Sequence, residues 1–297
     1  MFSLNLFLEQ LINGLITGSM YALMAVGLSL IWGIMDLFNF SHGALYMLGA
    51  YAVFYLATAL GINLIASSFI SISALFFLGV LLERFLIRPL RPLQGKDIWA
   101  WIAGTIVVTL GFGILAETFA LIVFGSEYKS LPPLLSGTVN FGFLTLSKQM
   151  LLSFFFAIFL ITVLGMFLKY TKIGIAMRAI AQEPEGALLM GINTDVVFPV
   201  TFGVCAGLAG AAGALLAPIY NIYPSIGWVP FATGFNVVVI GGLGSIKGSI
   251  IAGFLLGVIG SVSIIWVSSG WVPVISFGLM ILVLILRPSG LFGVSEG

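Results

Sequence analysis

Charge is what this chain has least of. Lys, Arg, Asp and Glu make up 7% of its 297 residues, against about a quarter in an average soluble domain, while 61% are hydrophobic. No water-soluble fold could hide that much apolar surface, whereas lipid accepts Leu, Ile, Phe and Val on the outside of every helix. There is one cysteine, Cys205, within an apolar stretch, and one histidine, His42. An internal disulfide is thereby excluded, and no zinc or other metal cluster can be assembled. A net charge of +1 gives no basis for binding nucleic acid. The GxxxxGK[ST] phosphate cradle is missing, so the chain is not its own P-loop ATPase. No Ser-His-Asp set, paired intramembrane Asp or HExxH appears either, and an enzyme is not expected. The amino terminus, MFSLNLFLEQ, carries Glu9 and no Lys or Arg, which argues against a cleaved signal peptide.

What is present is a series of apolar runs separated by short polar breaks. They lie near Leu11 to Ile34, Gly43 to Leu60, Leu64 to Ile87, Ile98 to Phe124, Gln149 to Lys169, Val196 to Ala217, Phe231 to Leu243, Ser249 to Val267 and Trp271 to Leu286. The spacing predicts an all-α polytopic membrane domain covering 1–297 with about nine spans. The run at Phe231 is shorter than the roughly 20 residues a straight span needs, so a short or broken helix is expected near 231–246. With the amino terminus outside and the carboxyl terminus cytoplasmic, Arg84, Arg88, Arg91, Lys96, Lys169, Lys172, Arg178, Lys247 and Arg287 fall on the cytoplasmic face. Only Lys129 and Lys148 fall outside, which is the bias expected of cytoplasmic loops. Glycine pairs four residues apart, Gly14 with Gly18, Gly203 with Gly207 and Gly253 with Gly257, read as close helix-packing seams. No convincing internal repeat is visible.

Three segments carry more than hydrophobicity. The stretch 170–195 is the most polar in the chain, and its pattern predicts two short helices with a corner at Pro184 and a stop at Gly191. Arg178, Glu183 and Glu185 would face a soluble partner there, and Leu188, Leu189 and Met190 form an apolar patch suited to a groove. The second segment places Asp36, Asn39, Ser41 and His42 between two apolar runs, with Ser41 a candidate N-cap for the helix that follows. A helix start at membrane depth would line a pathway, as in transporters with broken helices. In the third, five glycines between Gly241 and Gly253 predict irregular backbone, tolerated at membrane depth only when buried in protein or lining a wet cavity. Two further polar residues, Asn13 and Glu117, fall within spans, where an ionisable group defaults to a functional role. Glu117 is about two turns from the outer end of its helix, so a helix-helix hydrogen bond or a contact near the interface is the competing reading.

Taken together, NFSHGALYMLGAY (Asn39 to Tyr51), GIAMRAIAQEPEGALLMGIN (Gly174 to Asn193) and VVVIGGLGSIKGSIIAG (Val237 to Gly253) resemble the permeases of bacterial branched-chain amino acid ABC importers, in particular the LivH-type subunit. The resemblance extends through NGLITGSMYALMAVGLSLIWG near the start to LILRPSGLFG near the end. It implies a subunit in the bacterial inner membrane that pairs with a second, homologous permease, two cytoplasmic ATPase subunits that bind ATP and Mg, and an extracytoplasmic substrate-binding protein. No cofactor would be bound by this chain. Gly174, Arg178, Glu183, Glu185 and Gly191 would form the element that couples to the ATPases. Asn13, Asn39, Ser41, His42, Glu117, Thr233 and Asn236 are the candidates for the translocation path. Two positions depart from the family pattern: Thr233 stands where many members carry Lys, and Glu117 where Gln is frequent. Both changes make the path less cationic, which ranks a small zwitterionic or neutral polar solute first. A urea or short-amide permease of the same family is the alternative within the class, and an ion-coupled secondary transporter the alternative outside it.

Overall fold

The computed structural model describes residues 4–94, 96–140 and 145–293, Gln94 by its backbone. Helix dominates it: α1 (Leu4–Met35), α2 (His42–Thr58), α3 (Leu64–Leu82), α4 (Arg91–Gln94), α5 (Ile98–Phe124), α6 (Lys148–Tyr170), α7 (Lys172–Gln182), α8 (Pro184–Leu189), α9 (Thr194–Leu216), α10 (Trp228–Gly241), α11 (Ile246–Ser263) and α12 (Val272–Leu286). A short antiparallel pair, β1 (Thr138–Asn140) and β2 (Thr145–Ser147), lies between α5 and α6. Seven helical segments are long and apolar enough to cross a membrane, α3 being continued to Leu93 by tighter and wider turns and α12 being preceded by a turn from Ser269. The chain is therefore a multi-pass membrane protein. The count falls short of nine because α2 has 17 residues and α10 has 14.

Both short helices begin well inside the bundle. From Met35 the chain turns back beside α5: the Trp101 indole donates to the Met35 and Asp36 carbonyls, Thr109 Oγ1 meets the Phe38 carbonyl and the Phe40 amide, and Gly113 lies against Phe40 and Ser41. So α2 starts level with the middle of α5. At the far end of α5, Phe124 stacks on Tyr51 and Tyr55 of α2. After α9 the chain likewise re-enters, through an isolated bridge between Lys129 and Ile222, and α10 begins with Gly227 packed on Gly43. Phe231 then faces Phe40 and Phe235 faces Phe38, so α10 runs antiparallel to the lead-in of α2. Two half-helices thus meet near mid-bundle, start to start, and depart in opposite directions.

This arrangement is half of a larger regularity. The helices α1, α2, α3 and α5 recur as α9, α10, α11 and α12, and the pairings exchange between the sets: α1 with α11 and α9 with α3, α2 with α9 and α10 with α1, α2 with α3 and α10 with α11, α2 with α5 and α10 with α12. Such an exchange is the mark of an inverted repeat. It corrects the expectation of no repeat, because the two halves share a packing scheme rather than residue identities. The glycine pairs are its seams. A Cβ at Gly257 would lie 2.4 Å from the Gly18 Cα, and one at Gly203 would lie 2.9 Å from the Phe76 carbonyl oxygen of α3.

The remaining polar backbone behaves as its residues predict. Helices α7 and α8 are the two short helices of 170–195, broken at Pro184, with Gly191 at φ +81° turning the chain into α9. Between α10 and α11 the irregular backbone is confined to 242–245, where Gly242 and Gly244 take φ +104° and +78°.

Candidate functional site

The start of α2 is held by a buried polar cluster. Asn39 Oδ1 accepts both the Ser41 amide at 3.1 Å and the Ser41 hydroxyl, a local turn that replaces the cap predicted for Ser41, whose side chain caps nothing. His42 is fully buried with Nε2 3.2 Å from the Met24 carbonyl, filling the space left by Gly27 of α1. The first-turn amides of Gly43 and Ala44 have no acceptor within the helix. Both residues line a cavity of about 20 Å³, enough for roughly one water, shared with Phe40, Gly113, Glu117, Gly227 and Trp228.

Glu117 reaches this junction from α5. Its Oε2 accepts from the Trp228 indole at 2.8 Å, so the carboxylate grips the first residue of α10. No basic side chain forms a salt bridge with it among the described residues. On the other side of Phe40 a cavity of about 10 Å³ is lined by Asn39 with Trp32, Phe38, Phe231, Phe235 and others. The Asn39 Nδ2 is buried without a hydrogen-bond partner among the described residues. Between the two cavities, Phe40 and Phe231 stand with ring centroids 5.4 Å apart. An aromatic track therefore runs along the junction, and it is shut.

The opposite flank of α10 is open. A chamber of about 420 Å³ lies between α1, α2, the re-entrant chain 217–227 and α10. Tyr21, Tyr46, Tyr128, Tyr220 and Tyr223 line it with Thr17, Asn221, Thr233 and apolar side chains, and no charged residue does. These tyrosines come from four separate parts of the chain, and nothing in the sequence signals that they converge.

The candidate residues are thus distributed. Asn39, Ser41 and His42 build the start of α2, Glu117 holds the start of α10, and Thr233 lines the chamber. Asn236 is buried against α12, donating to Ser276 Oγ at 3.2 Å. Asn13 sits one turn beyond Thr17 on α1, apart from the junction.

In the coupling segment, Gly174 lets α7 fold against α6, since a Cβ there would lie 2.3 Å from the Phe167 carbonyl oxygen. Arg178 Nε donates to the Leu168 carbonyl at 3.0 Å, and Thr171 caps the helix through the Gly174 amide. Glu183 breaks the two helices in extended backbone and Glu185 opens α8, both exposed. Leu189 and Met190 are 88% and 86% exposed, a large apolar surface on a polar segment. Residues distant in sequence form an ion network here: Arg91 pairs with buried Glu83 and, at 2.7 Å, with Asp195, which also pairs with Arg88. It ties the end of α3 to the start of α9.

Paired half-helices, an open chamber beside them and an apolar knob at one end define a multi-pass membrane transport protein. Comparison with known families gives the particular one. Residues 10–284 match the family described as branched-chain amino acid transport system / permease component. The chain is 35% identical to the high-affinity branched-chain amino acid transport system permease protein LivH of Escherichia coli K12 and 34% identical to its Salmonella typhimurium counterpart, covering 98% of this chain and 96% of each relative. It is 33% identical to the corresponding BraD protein of Pseudomonas aeruginosa, over 98% and 97% of the two chains. No solved structure matches the chain. The protein belongs to the branched-chain amino acid transport permease family.

Proposed function

We propose that this chain is the membrane permease of an ATP-driven importer for branched-chain or related amino acids, working beside a second permease, two cytoplasmic ATPases and an extracytoplasmic binding protein. The observation that carries it is the pair of half-helices meeting at mid-bundle next to the tyrosine-lined chamber. Each re-entrant lead-in completes a crossing that its short helix begins, so α2 and α10 add to the seven long segments to make nine passages. Arg84, Arg88, Arg91, Arg178, Lys247 and Arg287 gather at one end of the bundle, and the positive-inside rule makes that end cytoplasmic.

In this reading the solute enters the tyrosine chamber from outside. Its apolar side chain packs on the aromatic walls while the tyrosine and threonine hydroxyls and Asn221 meet its polar end. ATP binding closes the ATPases on Leu188, Leu189 and Met190, and α7 transmits that movement through Arg178 and Gly174 to α6 and α1. The junction then opens by shifting α10, parting Phe40 from Phe231. Asn39, Ser41 and His42 keep α2 fixed while α10 moves. An ion-coupled carrier would need a carboxylate beside the solute, whereas Glu117 is bonded to Trp228 and does not line the chamber.

The test is copurification from native membranes in mild detergent, with ATPase and uptake assays on the wild type and Arg178→Glu. Recovery of two P-loop subunits and a second permease, with the variant shedding the ATPases or hydrolysing ATP without transport, is expected. Transport by this chain alone in liposomes without ATP would overturn the reading.

A further inference from the structure

At the basic end of the bundle, between α1, α6, α7 and the start of α11, lies a separate cleft of about 260 Å³. Its charged lining is of one sign: Arg178 and Lys247, without a carboxylate. The 18-residue helix α11 opens into it. Ser245 Oγ accepts the Gly248 amide, while the Ile246 and Lys247 amides precede any intrahelical acceptor, and both residues line the cleft. The positive end of the helix dipole therefore adds to the two cations.

An independent feature on α1 points to a ligand. Ser29 is fully buried, lines the same cleft, and its hydroxyl has no hydrogen-bond partner. A serine within a helix ordinarily satisfies its hydroxyl on a carbonyl one turn back, and a buried donor left unmade costs about 1–3 kcal/mol. An acceptor oxygen in the cleft would complete it. Arg178 donates its Nε to the Leu168 carbonyl, which aims the guanidinium, and among the described residues its terminal nitrogens are left for a ligand. Further along α11, Ile251 and Leu255 are exposed and apolar, a surface for an acyl chain rising from the cleft into the bilayer.

We propose that this cleft binds a phosphate-bearing anion, supplied by the headgroup of an acidic phospholipid of the cytoplasmic leaflet. The headgroup bridges α7 to α11 through Arg178 and Lys247 and accepts from Ser29. Its occupancy stiffens the segment that carries motion from the ATPases, so coupling depends on acidic lipid.

The experiment is native mass spectrometry of the complete assembly from nanodiscs of phosphatidylcholine with or without phosphatidylglycerol, a readout separate from transport. Wild type is expected to retain one phosphatidylglycerol. Lys247→Gln should weaken retention about fivefold, the scale of one basic residue at a membrane surface, and Ser29→Ala, a near-isosteric change, should also weaken it. Lys172→Gln removes the same charge from α7 outside the cleft and should leave retention unchanged. Equal loss in Lys172→Gln and Lys247→Gln, or loss in neither, would overturn the site. Thermal protection of detergent-solubilised wild type but not Lys247→Gln by inorganic phosphate, with no lipid retained, would uphold the anion site and overturn its lipid source.

Discussion

The central helices and the outer helices of this protein obey opposite rules from those of a soluble bundle. In α1 and α9 the most apolar stretches are 83% and 78% buried, whereas those of α5 and the Ser269–Leu286 segment are 22% and 11% buried. Yet the outer helices are the more apolar pair. Lipid is as good a solvent for Leu and Ile as the protein interior, so hydrophobicity cannot drive helices inward. What selects the centre is small side chains and polar groups that need partners: Gly14, Gly18, Ser19 and Ser29 on α1, Gly203, Cys205 and Gly210 on α9. Burial in this membrane bundle follows packing, and the large apolar residues are left to face lipid or a second subunit.

The sharpest break of that contrast is a matched pair of substitutions. Gly257→Leu drives a side chain into the α1 seam, where an added Cβ would lie 2.4 Å from the Gly18 Cα, and no folded protein should survive detergent extraction. Gly278→Leu on α12 meets nothing within 4 Å and should leave the melting temperature within about a degree or two. A similar loss in both would refute the division into centre and shell.

The ion network offers a middle-sized test at the ends of the same helices. Arg91→Ala strands Glu83, whose side chain is fully buried, and should destabilise by about 3 kcal/mol, read as a drop in thermal midpoint. Arg88 forms its ion pair with half-exposed Asp195, and Arg88→Ala should cost below about 1 kcal/mol. The smallest effect belongs to Glu117, on an outer helix but bonded inward to Trp228. Glu117→Gln keeps an acceptor for the indole and should retain more than about half of wild-type uptake, whereas Glu117→Ala frees the start of α10. Abolition of uptake by the Gln variant would assign the carboxylate charge a role in transport.

Much of this molecule can be read directly from the residues. Runs near 20 apolar residues can only be membrane spans, and Pro184 and Gly191 mark the breaks of the coupling segment because each limits the backbone around it. Gly242 and Gly244 likewise announce the irregular link before α11. The site was legible in fragments. Asn39, Ser41 and His42 stand out as polar residues between apolar runs, and Glu117 as a lone carboxylate, but their partners Trp228, Met24 and Phe231 are ordinary apolar or aromatic residues with nothing to distinguish them.

The sequence by itself determined the solvent of this protein, the order of its helices and which end carries positive charge, because these depend on composition and on neighbours along the chain. Only the tertiary structure decided that α2 and α10 start inside the bundle, that the halves are inverted copies, and that tyrosines from four parts of the chain line one chamber. Those properties depend on contacts between residues as far apart as Gly43 and Gly227, and helix periodicity carries no record of which distant face a side chain will meet.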